Sequence, residues 1–83
     1  LGKPKFTEVR RVFSLGDDDR QEVFDRAVAF AKEAGWKKDF ESGLPPKTVW
    51  NGQKNNPRRE CGVFISDNDA ADLMIRLRVF EEP

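Results

Sequence analysis

The chain has no histidine and no tyrosine, one cysteine and one methionine, and no surplus of either charge, since 15 Lys+Arg balance 15 Asp+Glu over 83 residues. Each shortage closes off some chemistry. Without histidine the usual general base of neutral pH is missing, and with it the common serine and cysteine triads and most zinc sites. One cysteine cannot close a disulfide within the chain, which favours a reducing compartment and a cytoplasmic location. A formal charge of zero supplies no global field toward nucleic acid or an anionic bilayer, so any such attraction has to be local. No apolar run approaches the roughly 18 to 20 residues that span a membrane, and the N-terminal residues lack the pattern of a signal peptide. The six glycines are scattered singly, so neither common phosphate-loop spacing occurs. These absences predict no catalytic residues, no metal, no cofactor, no small-molecule substrate and no membrane contact.

What is present suits a folded domain. Seven Phe and two Trp supply large apolar groups to a chain that is 36% charged, enough for a packed interior rather than a disordered tail. With no repeat, low-complexity segment or linker, residues 1–83 are expected to form a single domain. The segment Lys5–Leu15 has the Val, Phe and Thr density of a strand. Its alternation is imperfect: Val9 and Phe13 point one way and Phe6 and Val12 the other, unless a bulge at Arg10 and Arg11 realigns them. Asp18–Ala34 predicts a helix. Asp18 or Asp19 can cap it, Glu22 completes a capping box with Asp19, and Glu22 can pair with Arg26 one turn on. Val23, Phe24, Ala27, Val28, Ala31 and Ala34 recur at helical spacing, and Gly35 is a left-handed stop after which Trp36 can fold back.

Residues Lys37–Pro46 combine Gly, two prolines and mixed charges, and predict a loop with Phe40 and Leu44 tucked against the core. "KTVWN" and "ECGVFISD" predict strands joined by the turn-rich "GQKNNPRR". "ADLMIRLRVFEE" fits either a helix or a strand. Its β-branched and aromatic residues, and "DNDA" as a reversal before it, favour the strand. The expected fold is α+β, with one amphipathic helix packed on one face of a small, mainly antiparallel sheet in the order β-α-β-β-β.

The reactive-looking residues have structural readings that outweigh catalytic ones. Cys61 lies in "ECGVF" beside Val63 and Ile65, the setting of a small core residue. Asp17–Asp19 precede a helix and serve as its cap. Asp67, Asp69 and Asp72 resemble the start of a calcium loop, but no glycine holds the sixth position and Arg78 stands where a bidentate Glu belongs. An enzyme working through carboxylates is therefore the weakest reading, and the expectation is a protein without enzymatic activity.

Binding remains, and two surfaces qualify. If one helix covers one sheet face, Val63, Ile65, Leu73, Ile75, Leu77 and Val79 lie beneath it. Phe64, Met74, Arg76, Arg78 and Phe80 then look outward, with Arg10 or Arg11. A face mixing Phe, Met and Arg has the composition of a protein-binding hot spot, weighed against plain cross-strand pairing on a solvated face. This predicts a small accessory, inhibitor or self-associating protein whose partner is another protein or a second copy of itself.

The alternative is single-stranded nucleic acid. From Trp36 to Arg59 six basic residues face two acidic ones, so this middle carries +4 and the remainder −4. Lys37, Lys38, Trp50, Lys54, Arg58 and Arg59 would supply cations for phosphates and a ring for a base. Against it, a tryptophan in so small a domain is more useful as a core anchor, and no ribonucleoprotein-type motif is present.

Overall fold

The computed structural model describes residues 5–42, 47–66 and 72–81. They form β1 (Phe6–Ser14), α1 (Arg20–Glu33), β2 (Lys37–Ser42), β3 (Lys47–Lys54), β4 (Arg59–Ser66) and β5 (Asp72–Phe80). The strands make one five-stranded sheet in the order β1-β5-β4-β3-β2, with every neighbouring pair antiparallel. The fold is thus α+β, mostly sheet, with one helix packed against an antiparallel sheet. Among the described residues no helix is long and apolar enough to cross a membrane.

The helix ends where its local chemistry directs. Asp19 is the N-cap in an extended conformation, and its Oδ1 accepts the Glu22 backbone N–H at 2.9 Å, satisfying a donor that the first turn leaves free. Glu22 and Arg26 pair at 2.8 Å. At the other end Gly35 takes φ +96°. Its N–H donates to Lys32 O at 3.0 Å, and the Trp36 N–H donates to Ala31 O at 3.1 Å. These two bonds form a Schellman closure, which needs a residue free of a Cβ penalty at the left-handed position. Trp36 is thereby turned back onto the core, where it is half-buried.

Period-two alternation sorts the strands into two faces. Trp50, Cys61, Val63, Ile65 and Leu73 fall on one of them and, with Leu15 and the helix residues Phe24, Val28 and Ala31, make up the buried core. The helix lies mainly over β4 and β3.

Three expectations need correction. The segment 37–42 is a strand rather than a loop, paired with β3 through a register shift between Lys38 and Phe40. Phe40 is not tucked in but 56% exposed, because it stands beside Asn51 on the sheet face opposite Trp50 and the core; Leu44 lies outside the described residues. The bulge considered at Arg10 and Arg11 does not form: β1 runs against β5 in unbroken register from Phe6↔Phe80 to Ser14↔Asp72. The apolar residues of β1 therefore divide between both faces. Finally, Leu77 and Val79 are not covered by the helix but exposed, since α1 sits over β3 and β4 while these residues lie toward the β1 edge. The last segment is a strand, as favoured, and Asp67 and Asp69 lie outside the described residues.

Candidate interaction surfaces

The register brings Phe64 of β4 and Met74, Arg76, Arg78 and Phe80 of β5 onto the sheet face opposite the core residues. The same face gains Phe6, Glu8 and Arg10 from β1, because Phe6 pairs with Phe80, Glu8 with Arg78 and Arg10 with Arg76. Glu60 joins from β4, opposite Arg78. The result is a bonded lattice of rings and charges. Arg78 Nε donates to Glu8 Oε1 at 2.7 Å, and Arg10 Nε to Glu8 Oε2 at 2.7 Å. Glu60 lies 3.5 Å from Arg58 and 4.0 Å from Arg78.

Three of the guanidinium groups in turn cover rings, Arg78 over Phe6 at 4.4 Å, Arg76 over Phe64 at 4.7 Å and Arg58 over Phe80 at 4.3 Å. Phe6 and Phe80 meet with centroids 5.4 Å apart. These cation–π and aromatic contacts are the ones cross-strand neighbours make when a face has no second layer above it.

Glu8 holds the lattice together electrically. The hydrogen bond from Arg78 is the main cause that lowers its carboxyl below the ordinary glutamate range, with Arg10 adding to it. Arg10 and Arg76 stand directly opposite one another, a like-charge pair that Glu8 offsets, since its Oε1 is 3.9 Å from Arg76 Nε. Desolvation first, and the nearby Arg78 second, lower the pKa of Arg76, and its Nε is buried without a hydrogen-bond acceptor.

The basic residues of the middle segment do not form one surface. Trp50 is fully buried, at 0% exposure, so the expectation that its ring could stack a base is corrected: in so small a core the indole is an anchor. Arg58 belongs to the ring-and-charge face just described, and Lys38 pairs with Glu41 at 3.3 Å. Lys54 Nζ donates to Ala34 O at 2.7 Å and sits 4.7 Å from the Trp36 ring centroid, so it caps the helix C-terminus. Lys37, Lys54 and Arg59 do meet, around a cleft of about 320 Å³ completed by Gly35, Gln53 and Asn55. Among the described residues no carboxylate lines it.

Sequence reasoning did not identify Glu8, Glu60 and Phe6 as members of the outer face, nor Trp36 as the ring beside Lys54. Glu8 had no local signal, because it joins the face only through the pairing of β1 with β5, strands far apart in the chain; Glu60 was signalled by its even spacing from Phe64 along β4. Trp36 was signalled by Gly35 before it.

No protein-family model matches the chain, and neither a curated protein nor a solved structure matches it at a significant level.

Proposed function

We propose that this is a single-domain, non-enzymatic binding module that contacts a protein partner through the uncovered part of its sheet. In this reading α1 roofs one face only, and the partner meets the opposite face, where Phe64, Met74, Arg76, Arg78 and Phe80 lie, together with the β1–β5 margin. One observation carries it. Phe6 and Val12 on that face, and Val9, Phe13, Leu77 and Val79 on the other, are between 41% and 62% exposed, so the margin formed by the adjacent strands β1 and β5 is apolar on both sides. Single exposed apolar residues are ordinary, but a contiguous group on one edge of a sheet favours a contact site. Arginine and aromatic residues beside it add the composition of an interface core.

The reading is tested by comparing what the wild type and the double variant Val12→Lys/Phe13→Asp retain from a nuclease-treated extract of the native source. A protein held by the wild type and released by the variant is the expected result. Identical retention by both, or none by either, overturns it. Phe80→Ser then asks whether the ring-and-charge face belongs to the same contact.

A second reading, single-stranded nucleic acid, is favoured by the cleft of Lys37, Lys54 and Arg59, three cations without a carboxylate among the described residues that line it, beside a half-buried Trp36. It predicts that tryptophan fluorescence quenches on titration with an oligonucleotide, that affinity falls steeply with salt, and that Lys37→Glu/Arg59→Glu abolishes the response. An unchanged signal at low salt removes it.

A further inference from the structure

The two edges of the sheet are built differently. β2 closes one edge with Lys37, Lys38 and Asp39 and a register shift, devices that discourage pairing with another strand. β1 closes the other with nine residues in unbroken register, no proline, charges of both signs (Glu8, Arg10 and Arg11) that can pair across strands, and four exposed large apolar side chains.

The hydrogen-bond phase of β1 follows from its junction with β5. The Glu81 N–H donates to Lys5 O at 2.9 Å, so in an antiparallel ladder the odd-numbered residues of β1 exchange bonds with β5. The N–H and C=O groups of Phe6, Glu8, Arg10, Val12 and Ser14 then point to the free edge. The Arg10 carbonyl fits this phase, since it accepts the Arg11 side chain at 2.9 Å, an exposed group that a neighbouring strand can displace.

The strand also complements itself. Reversed about Val9, "FTEVRRV" sets Phe6 opposite Val12 and Glu8 opposite Arg10 on the ring-and-charge face, with Val9 opposite its own copy on the other. Each of those pairs is favourable across strands. Centring on Glu8, Arg10 or Arg11 instead places a like charge opposite itself, and centring on Val12 engages a shorter stretch with no opposite charges facing.

Resting on the protein-binding reading above, we propose that the partner is a second copy of this chain, joined by antiparallel pairing of β1 with β1 about Val9 into a continuous ten-stranded sheet. The twofold axis passes between the two Val9 residues and both helices lie on the same side. Because each outer edge is then the blunted β2, the assembly closes at two chains rather than growing into a filament.

Charge reversal tests both the contact and its register. The mass of the full chain, measured by light scattering or sedimentation over a concentration series, is expected to rise toward twice the 9.5 kDa monomer. Arg10→Glu alone places Glu opposite Glu8 twice and returns the chain to monomer. Glu8→Arg alone does the same with arginines. An equimolar mixture of the two variants restores both opposite-charge pairs, so the twofold mass reappears in the mixture.

Because Glu8 also binds Arg78, the Glu8→Arg chain is checked by circular dichroism. If it does not fold, Val12→Pro replaces it. That change removes an N–H from the free edge and none from the β5 ladder, so it also yields folded monomer. A wild type that stays monomeric at its highest soluble concentration overturns the second copy as partner, and leaves the extract comparison above to decide whether a foreign protein binds there. A dimer that survives both Arg10→Glu and Val12→Pro overturns β1 pairing.

Discussion

Two glycines inside strands show how single residues shape the sheet. A Cβ at Gly52 would lie 2.5 Å from Trp50 Cη2 and 3.1 Å from Trp36 Cβ; one at Gly62 would lie 2.5 Å from Phe64 Cε2. In both cases an aromatic ring two residues away along the strand lies over the bare backbone, an arrangement that fills the space a strand glycine leaves open. The consequences of adding a methyl differ, because Trp50 has no exposed surface and nowhere to move, whereas Phe64 is half-buried at the edge of solvent. Gly52→Ala is expected to destabilise by about 1–3 kcal/mol, the usual cost of overpacking a closed site. At Gly62 the ring can swing outward, and the roughly 0.4–1 kcal/mol gained from a stiffer unfolded chain offsets much of the strain. Urea titration of the two variants should rank them in that order, and equal midpoints would mean that the Trp50 ring is not confined.

At the scale of elements, what the sequence disclosed followed from how far each element is buried. The helix carries its own start, stop and apolar spacing, and its observed bounds depart by two residues at the start and one at the end from the expected Asp18–Ala34. β4 and β5 were legible from β-branched and aromatic density, and the outward set from Phe64 to Phe80 from alternation alone. β2 was not legible. "KKDFES" has no apolar period, and an edge strand with both faces exposed needs none. β1 misled for the related reason that apolar residues on both of its faces look like a register fault until the strand is known to be an edge. The Glu8 contacts depend on which strand lies beside β1, a nonlocal fact without a local signature.

That pairing has a pH consequence. Glu8 titrates below the ordinary value of 4.5 in the folded chain because Arg78 donates to it, with Arg10 assisting. Its contribution is thus fully present above about 4.5, the value expected unfolded, and is lost as pH falls through the lower folded value. Glu8→Gln should be less stable than wild type at pH 7, and the gap between their urea midpoints should narrow as the pH is lowered below 4.5. A gap of constant size would assign the role of Glu8 to packing rather than charge.

For the molecule as a whole, one helix serves a sheet of five strands, so the closed interior is confined to the middle of the sheet and the margins are left open. Cys61 probes that interior. It is buried on β4, the central strand, between Gly52 of β3 and Leu77 of β5. Burial pushes its thiol pKa up, and the nearby Lys54 only partly counters this. The thiolate that reacts with alkylating reagents is therefore scarce as well as shielded. If the core opens only when the whole sheet does, alkylation at mildly alkaline pH should be slowed by the same factor that separates folded from unfolded chains. Its dependence on low urea should then match that of global unfolding. Modification that is rapid and insensitive to urea would instead mean that β4 and β5 part locally. Stability would then be graded across the sheet, lowest toward the β1 margin and highest beneath α1, rather than shared by a single cooperative unit.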